Sequence, residues 1–256
     1  MRAYQRNALT DQLVNAIKPY VDHCFDEGYL RYRSDLTTDE IAGLAERLVV
    51  ITSPAQCNGF RIGNSVVTAL HCLGDASTPD GTVARMRTTS APREYALEEI
   101  FPRSRSAEAI EADVAVLRIA DWTDPFKAEE LDRLAEPRLY DRLVLPQSNI
   151  YVRTVLQQAG GDGFANSIRI EHNPGCRAYS RTSSGVILHS CQTEAGTSGA
   201  PLLQRDANGR LVVVGVHHGA LDAGAGEVQS CKTIGANYGL HLALNKVRGV
   251  LAGMSR

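Results

Sequence analysis

CNGFRIGNSVVTALHC, residues 57–72, carries the architecture of this chain in miniature. Two short runs, GFRIG (59–63) and SVVTAL (65–70), are rich in β-branched and aromatic residues and are divided by Gly and Asn. Runs of that length and composition read as strands, because branched side chains fit a pleated, half-buried surface. The stretch is bracketed by Cys57 and Cys72, and its second run leads directly into one histidine, His71.

Working outward, the same punctuation repeats. LVVIT (48–52) precedes the stretch, and VARMRTT (83–89), DVAVLRIA (113–120), RLVLP (142–146), GVILHS (185–190), APLLQR (200–205) and RLVVVGVHHG (210–219) follow it. DANG (206–209) is a hairpin turn between the last two runs. The charged segment REYALEEIFPRSRSAEAIEA (93–112) is expected to be loop and solvated edge. Many short strands with helices only at the ends predict an all-β sandwich or a pair of barrels. Residues 1–47 form the helical N-terminal extension. Leu9, Leu13, Ile17, Val21 and Phe25 recur at helical spacing, with Pro19 as a kink and Gly28 as a stop. A second helix starts at TTDE (37–40), a capping box in which Glu40 reaches back to Thr37, and ends near Arg47. A last helix spans about Leu240 to Leu251.

The chain has 256 residues, 43% of them hydrophobic, enough for one large core or two small ones. Its 27 basic and 29 acidic residues leave a net charge of −2. That balance offers no electrostatic reason to expect nucleic acid or an anionic membrane as partner. No apolar run reaches the roughly 18 residues of a spanning helix. The first residues lack the apolar stretch of a signal peptide, so the expected location is the cytoplasm unless a leader precedes this sequence.

Six cysteines are too few for a disulfide-framework mini-protein. CRAYSRTSSGVILHSC (176–191) folds as a hairpin about TSSG (182–185), with Arg181 facing Val186. Carrying that register outward sets Cys176 opposite Cys191, within bridging distance. Cys24 and Cys231 have no evident mates. Disulfides sit uneasily with a reducing cytoplasm. Without any CxxC pair, no metal is expected, and no cofactor.

Three features carry chemistry. His71 ends an apolar run. Asp113 is a lone carboxylate at the head of a run that should be buried, an expensive arrangement unless something donates to it. Ser198 lies in QTEAGTSGAPLL (192–203), flanked by Gly196 and Gly199 on a tight turn. A serine hydroxyl becomes a nucleophile when a base takes its proton, and that base needs a carboxylate to hold its tautomer. His71, Asp113 and Ser198 supply those three roles.

In these residues the chain resembles the chymotrypsin-like serine peptidases. TALHC (68–72) is similar to that family's Thr-Ala-Ala-His-Cys, DVAVL (113–117) to Asp-Ile-Ala-Leu-Leu, and GTSGAP (196–201) to Gly-Asp-Ser-Gly-Gly-Pro. VVGVHHG (213–219) resembles the strand that lines the substrate cleft. The resemblance spans about residues 48–252 and implies two packed six-stranded β-barrels with the catalytic cleft between them. It implies a serine endopeptidase whose Gly196 and Ser198 amides form an oxyanion hole, and it makes Cys57 and Cys72 a second candidate pair. Two positions depart from the pattern. Thr197 replaces the Asp that binds a new N-terminal amine, and Gln192 and Thr193 stand where a cation-reading Asp would fall. Thr193, His217 and Gly219 resemble instead the glutamyl-endopeptidase branch, which grips a substrate carboxylate. His217 and His218 face opposite sides of a strand, and His217 is the one expected to line the pocket. The expected partner is a protein or peptide substrate. Two alternatives remain open: a protease-fold binding module without activity, or a regulated intracellular bacterial protease that docks one protein through residues 1–47.

Overall fold

The computed structural model describes residues 36–54, 56–73, 82–88, 94–101, 113–122, 128–139, 141–148, 168–171, 177–181, 186–189, 191, 193, 196–221, 236–240 and 242–254. The helical pattern expected between residues 9 and 25 lies outside them. Helix α1 (Thr38–Arg47) begins where TTDE predicts. The Glu40 amide donates to Thr37 Oγ1 at 3.2 Å, and the Thr37 amide donates to the Glu40 carboxylate at 2.8 Å. The helix stops at Leu48, where a β-branched run makes extended backbone the better choice.

Six strands follow: β1 (Leu48–Ser53), β2 (Cys57–Ile62), β3 (Ser65–Thr68), β4 (Thr82–Thr88), β5 (Glu94–Phe101) and β6 (Ala115–Ile119). They pair antiparallel and close into a barrel in the order β1-β2-β3-β6-β5-β4. β5 corrects the expectation of loop over 93–112. On the outer face of the barrel Glu98 sits opposite Arg118 of β6 and pairs with it, while Leu97 is fully buried. Charge density therefore concealed a strand.

The continuous apolar character of β3 and β6 has a simple cause: both faces are covered. Val66, Ala115, Leu117 and Ile119 fill the barrel interior with Val49, Ile51, Met86 and Leu97. Val67, Val114 and Val116 point the other way, into a core shared with Leu203, Val213 and Val216 of the second half. That half contains β7 (Leu145–Ser148), β8 (Ile168–Glu171), β9 (Ala178–Arg181), β10 (Val186–His189), β11 (Pro201–Arg205), β12 (Leu211–Leu221) and β13 (Ala236–Leu240). Its main sheet runs β11-β12-β13-β10-β9, beside a two-stranded ladder of β7 with β8. Where a second six-stranded barrel was expected, the described residues form this five-stranded sheet and ladder. Isolated bridges Val144↔Leu203 and Arg142↔Arg177 set the segment before β7 against both edges of the sheet.

In the β9–β10 hairpin, Arg181 pairs with Ile187, not with Val186 as expected. A one-residue irregularity then brings His189 opposite Ala178, which returns the outer part to the expected register. Along its other edge β10 pairs with β13, with Val186 opposite Leu240. Cys57 and Cys72 form a disulfide, with Cα atoms 6.0 Å apart. Cys191 is also disulfide-bonded. Cys176, Cys24 and Cys231 lie outside the described residues. Helix α2 (Leu242–Met254) begins two residues later than expected, because Leu240 ends β13. Its Val247 and Leu251 are buried in the shared core. Among the described residues, no helix is long and apolar enough to cross a membrane.

Candidate active site

β3 and β6 run antiparallel, with Thr68 opposite Ala115. Whatever follows β3 therefore lies beside whatever precedes β6. His71 follows β3 in a 3-10 turn (Leu70–Leu73), and Asp113 precedes β6. The turn is anchored by buried Leu70, Cys72 and Leu73 and by the disulfide to β2. His71 is left with 35% of its side chain exposed.

Asp113 is buried, and its oxygens are well supplied with donors. Oδ1 accepts the His71 backbone amide at 2.7 Å, and Oδ2 lies 2.6 Å from His71 Nδ1. Burial pushes the Asp113 pKa up, but hydrogen bonds from His218 and His71 outweigh it and hold the carboxyl well below the usual carboxylate range. An ionised carboxylate only accepts, so His71 carries its proton on Nδ1, and a neutral ring then leaves Nε2 as a lone pair.

Ser198 is carried by the loop 196–200, which is fastened to the first barrel by one residue. Asn58 of β2, fully buried, donates its backbone amide to the Ser198 carbonyl at 2.7 Å and its Nδ2 to the Gly196 carbonyl at 2.6 Å. Its own carbonyl accepts from Thr68 Oγ1 at 2.7 Å. Gly199 must be glycine: its φ is +83°, and a Cβ there would collide with the Asn58 carbonyl and the Thr68 hydroxyl. Gly196 also takes a positive φ, of 92°. The amides of Gly196 and Ser198 donate no hydrogen bond among the described residues. The Ser198 hydroxyl donates to the carbonyl of His218 at 3.0 Å, not to His71. Thr197, in the same loop, is buried.

His217 and His218 on β12 do face opposite sides. His218 reaches the Asp113 carboxylate through Nε2. His217 is buried against His189 of β10, with Nδ1 of the first 3.2 Å from Nε2 of the second. His189 Nδ1 accepts the Cys191 amide at 3.2 Å. Burial lowers the His189 pKa to about 3, and burial with the neighbouring imidazoles places that of His217 well below its ordinary value. Both rings are neutral near pH 7. With His189 Nδ1 accepting, its proton sits on Nε2 and is donated to His217 Nδ1, so His217 carries its own proton on Nε2. Thr193 and Gly219 are half-buried.

Three residues of this site escaped the sequence: Asn58, His189 and His218. A polar side chain between Cys57 and an apolar run was the available signal for Asn58. His189 gave none, because its partner is distant in the chain, and His218 reads only as the residue facing away from the pocket. Among the described residues, two groups place three metal-ligand side chains within 4.8 Å of one another: Cys57, His71 and Cys72, and His71, Asp113 and His218. The sulfurs of the first are joined as a disulfide, and the second is the hydrogen-bonded carboxylate just described.

A family model described as a trypsin-like peptidase domain matches residues 57–216, more than half of the chain. Among solved structures, the serine endoprotease from Yersinia pestis is similar with a TM-score of 0.52 at 11% identity, over 86% of this chain and 68% of that one. The tobacco etch virus protease complexed with product gives 0.51 at 16% identity, over 82% and 77%. The tobacco vein mottling virus protease gives 0.51 at 16% identity, over 82% and 83%. At these identities the likeness is one of fold. No curated protein matches the chain by sequence.

Proposed function

Because this chain belongs to the trypsin-like peptidase domain family, we propose that it is a serine endopeptidase in which Ser198 is the nucleophile, His71 the general base and acid, and Asp113 the group that orients His71. The observation that carries this is the 2.6 Å contact of His71 Nδ1 with a buried, ionised Asp113. It leaves Nε2 as the base, on the exposed side of the pair. The Ser198 hydroxyl turns from the His218 carbonyl, gives its proton to Nε2, and attacks the substrate carbonyl. The amides of Gly196 and Ser198 receive the oxyanion, each such donor being worth about 3 kcal/mol of barrier. His71 then protonates the leaving amine, and water hydrolyses the acyl-enzyme with the same groups in reverse.

Residues 48–252 form the peptidase domain and residues 1–47 a helical extension that gives a regulatory partner a place to dock. The bridges from 142–144 to both sheet edges support closure of the second half as a barrel. In substrate choice the chain resembles the glutamyl-endopeptidase branch: His217, with its proton on Nε2, and Thr193 are the donors for an acidic P1 side chain, and Gly219 leaves room beside them.

A fluorophosphonate probe tests the nucleophile, since Ser198 Oγ attacks phosphorus and expels fluoride. Wild-type protein should label. Ser198→Ala should not label, and its peptide cleavage should fall by about four orders of magnitude or more. Cleavage by Ser198→Ala at the wild-type rate would end the assignment.

A further inference from the structure

Two consecutive residues of β2 hold the two arms of the site. Cys57 packs in the barrel interior, where its disulfide to Cys72 anchors the turn that carries His71. Asn58, one residue on, faces the opposite side of the strand and meets the Ser198 loop. β2 is buried from Cys57 to Phe60, and Asn58 has no exposed surface. An amide side chain is costly there unless a partner satisfies it. The partner is the Gly196 carbonyl, 2.6 Å from Asn58 Nδ2.

That carbonyl belongs to the peptide unit 196–197, which lies between the amides of Gly196 and Ser198. The far end of the loop is held by the second half, where the Gly199 amide donates to the His217 carbonyl and the His217 amide to the Ala200 carbonyl, each at 2.8 Å. The near end starts at Gly196, whose φ is 92° and whose backbone, without a Cβ, can rotate away at little cost. No charged side chain in 196–200 can fix it by an ion pair. We propose that Asn58 is a positioning residue for the oxyanion hole, its side-chain amide holding the 196–197 peptide so that the Gly196 and Ser198 amides stay aimed at one point. The proposal rests on the peptidase reading above. Oxyanion donors are effective when they are in place before the charge develops, because a loop that must reorganise gives back part of what its hydrogen bonds contribute. Asn58 acts through the loop, and it makes the first barrel the frame against which the hole of the second half is set.

Asn58→Leu keeps the volume and removes the donor, and Asn58→Ala takes its place if that variant does not fold. In either, kcat should fall about 10- to 100-fold, short of the loss for removing a hole donor outright, while KM changes little. Phosphonylation of Ser198 by the fluorophosphonate probe should slow by a similar factor. The phosphoryl oxygen of that adduct takes the place of the oxyanion, so its phosphorus NMR resonance should move toward that of the denatured adduct. The His71 Nδ1 proton resonance, read in the Ser198→Ala background, should stay where it is, since Asn58 acts on the hole and not on the base. An adduct resonance unmoved in a folded variant overturns the proposal, because a merely structural residue would lower stability alone. So does one that moves only together with the His71 resonance, which would mean that the whole site has loosened. If wild-type protein neither labels nor cleaves, the peptidase reading falls, and amide hydrogen exchange over residues 196–198 decides the rest. Faster exchange in Asn58→Leu then upholds the tie, and unchanged exchange overturns it.

Discussion

At the scale of the residue, the buried histidine pair decides what an acidic substrate would meet. His189 accepts the Cys191 amide and passes its own proton toward His217, which fixes the His217 tautomer without charging either ring. A neutral N–H donor suits a carboxylate, whereas a Lys or Arg side chain would bring a cation against His217 and Thr193, neither of which is an anion. A P1 peptide library read against wild type and His217→Ala checks this. Cleavage after Glu or Asp should lead in wild type and fall about 10- to 100-fold relative to small P1 residues in His217→Ala. A wild-type preference for basic or bulky apolar P1 residues would exclude the pocket.

At the scale of the element, α1 acts as a strap. Glu40 in its first turn meets Arg205 of β11 at 2.5 and 3.0 Å, and Arg47 in its last turn meets Glu130 at 2.6 and 3.2 Å. The hydrogen bond from Arg205 is the main cause that lowers the Glu40 pKa from 4.5 to about 2. Glu40 therefore serves the capping box and an ion pair with one carboxylate. Glu40→Ala should cost about 1 kcal/mol near neutral pH, the usual worth of a cap with little added by a solvated pair. A folded-state pKa below the unfolded one means stability present above pH 4.5 and lost as pH falls toward 2. The gap in urea midpoint between wild type and Glu40→Ala should accordingly be open at pH 7 and close over that range. Equal midpoints at pH 7 would show the strap to be idle.

At the scale of the whole molecule, the two halves share a core. Phe60, Val67 and Val116 of the barrel pack with Leu203, Val213 and Val216 of the second sheet and with Val247 and Leu251 of α2. The site lies on the same boundary: Asn58 fastens the Ser198 loop to β2, and His218 meets Asp113 across it. A core held in common should make unfolding one event. Phe60→Ala should lose about 3–5 kcal/mol and lower the temperature of a single calorimetric transition. Two resolved transitions, with only one moved by the substitution, would show that the halves unfold independently.

What the sequence determined by itself was local. The TTDE cap, the strands of the first barrel with paired or buried β-branched runs, the DANG turn, and the candidates His71, Asp113 and Ser198 were all legible, because each depends on a few neighbouring residues whose types announce their geometry. β5 was not, since a charged run about one buried leucine imitates a loop until strands on both sides are in place. The register of β9 against β10 was not, because the irregularity between Leu188 and His189 offsets the pairing by one residue and leaves no mark in the local composition. Asn58, His189 and His218 belong to tertiary structure alone: Asn58 meets a loop 138 residues away, His189 meets a ring 28 residues away, and His218 meets a carboxylate on another strand. A buried polar group takes its role from the partner that satisfies it, and the fold chooses that partner.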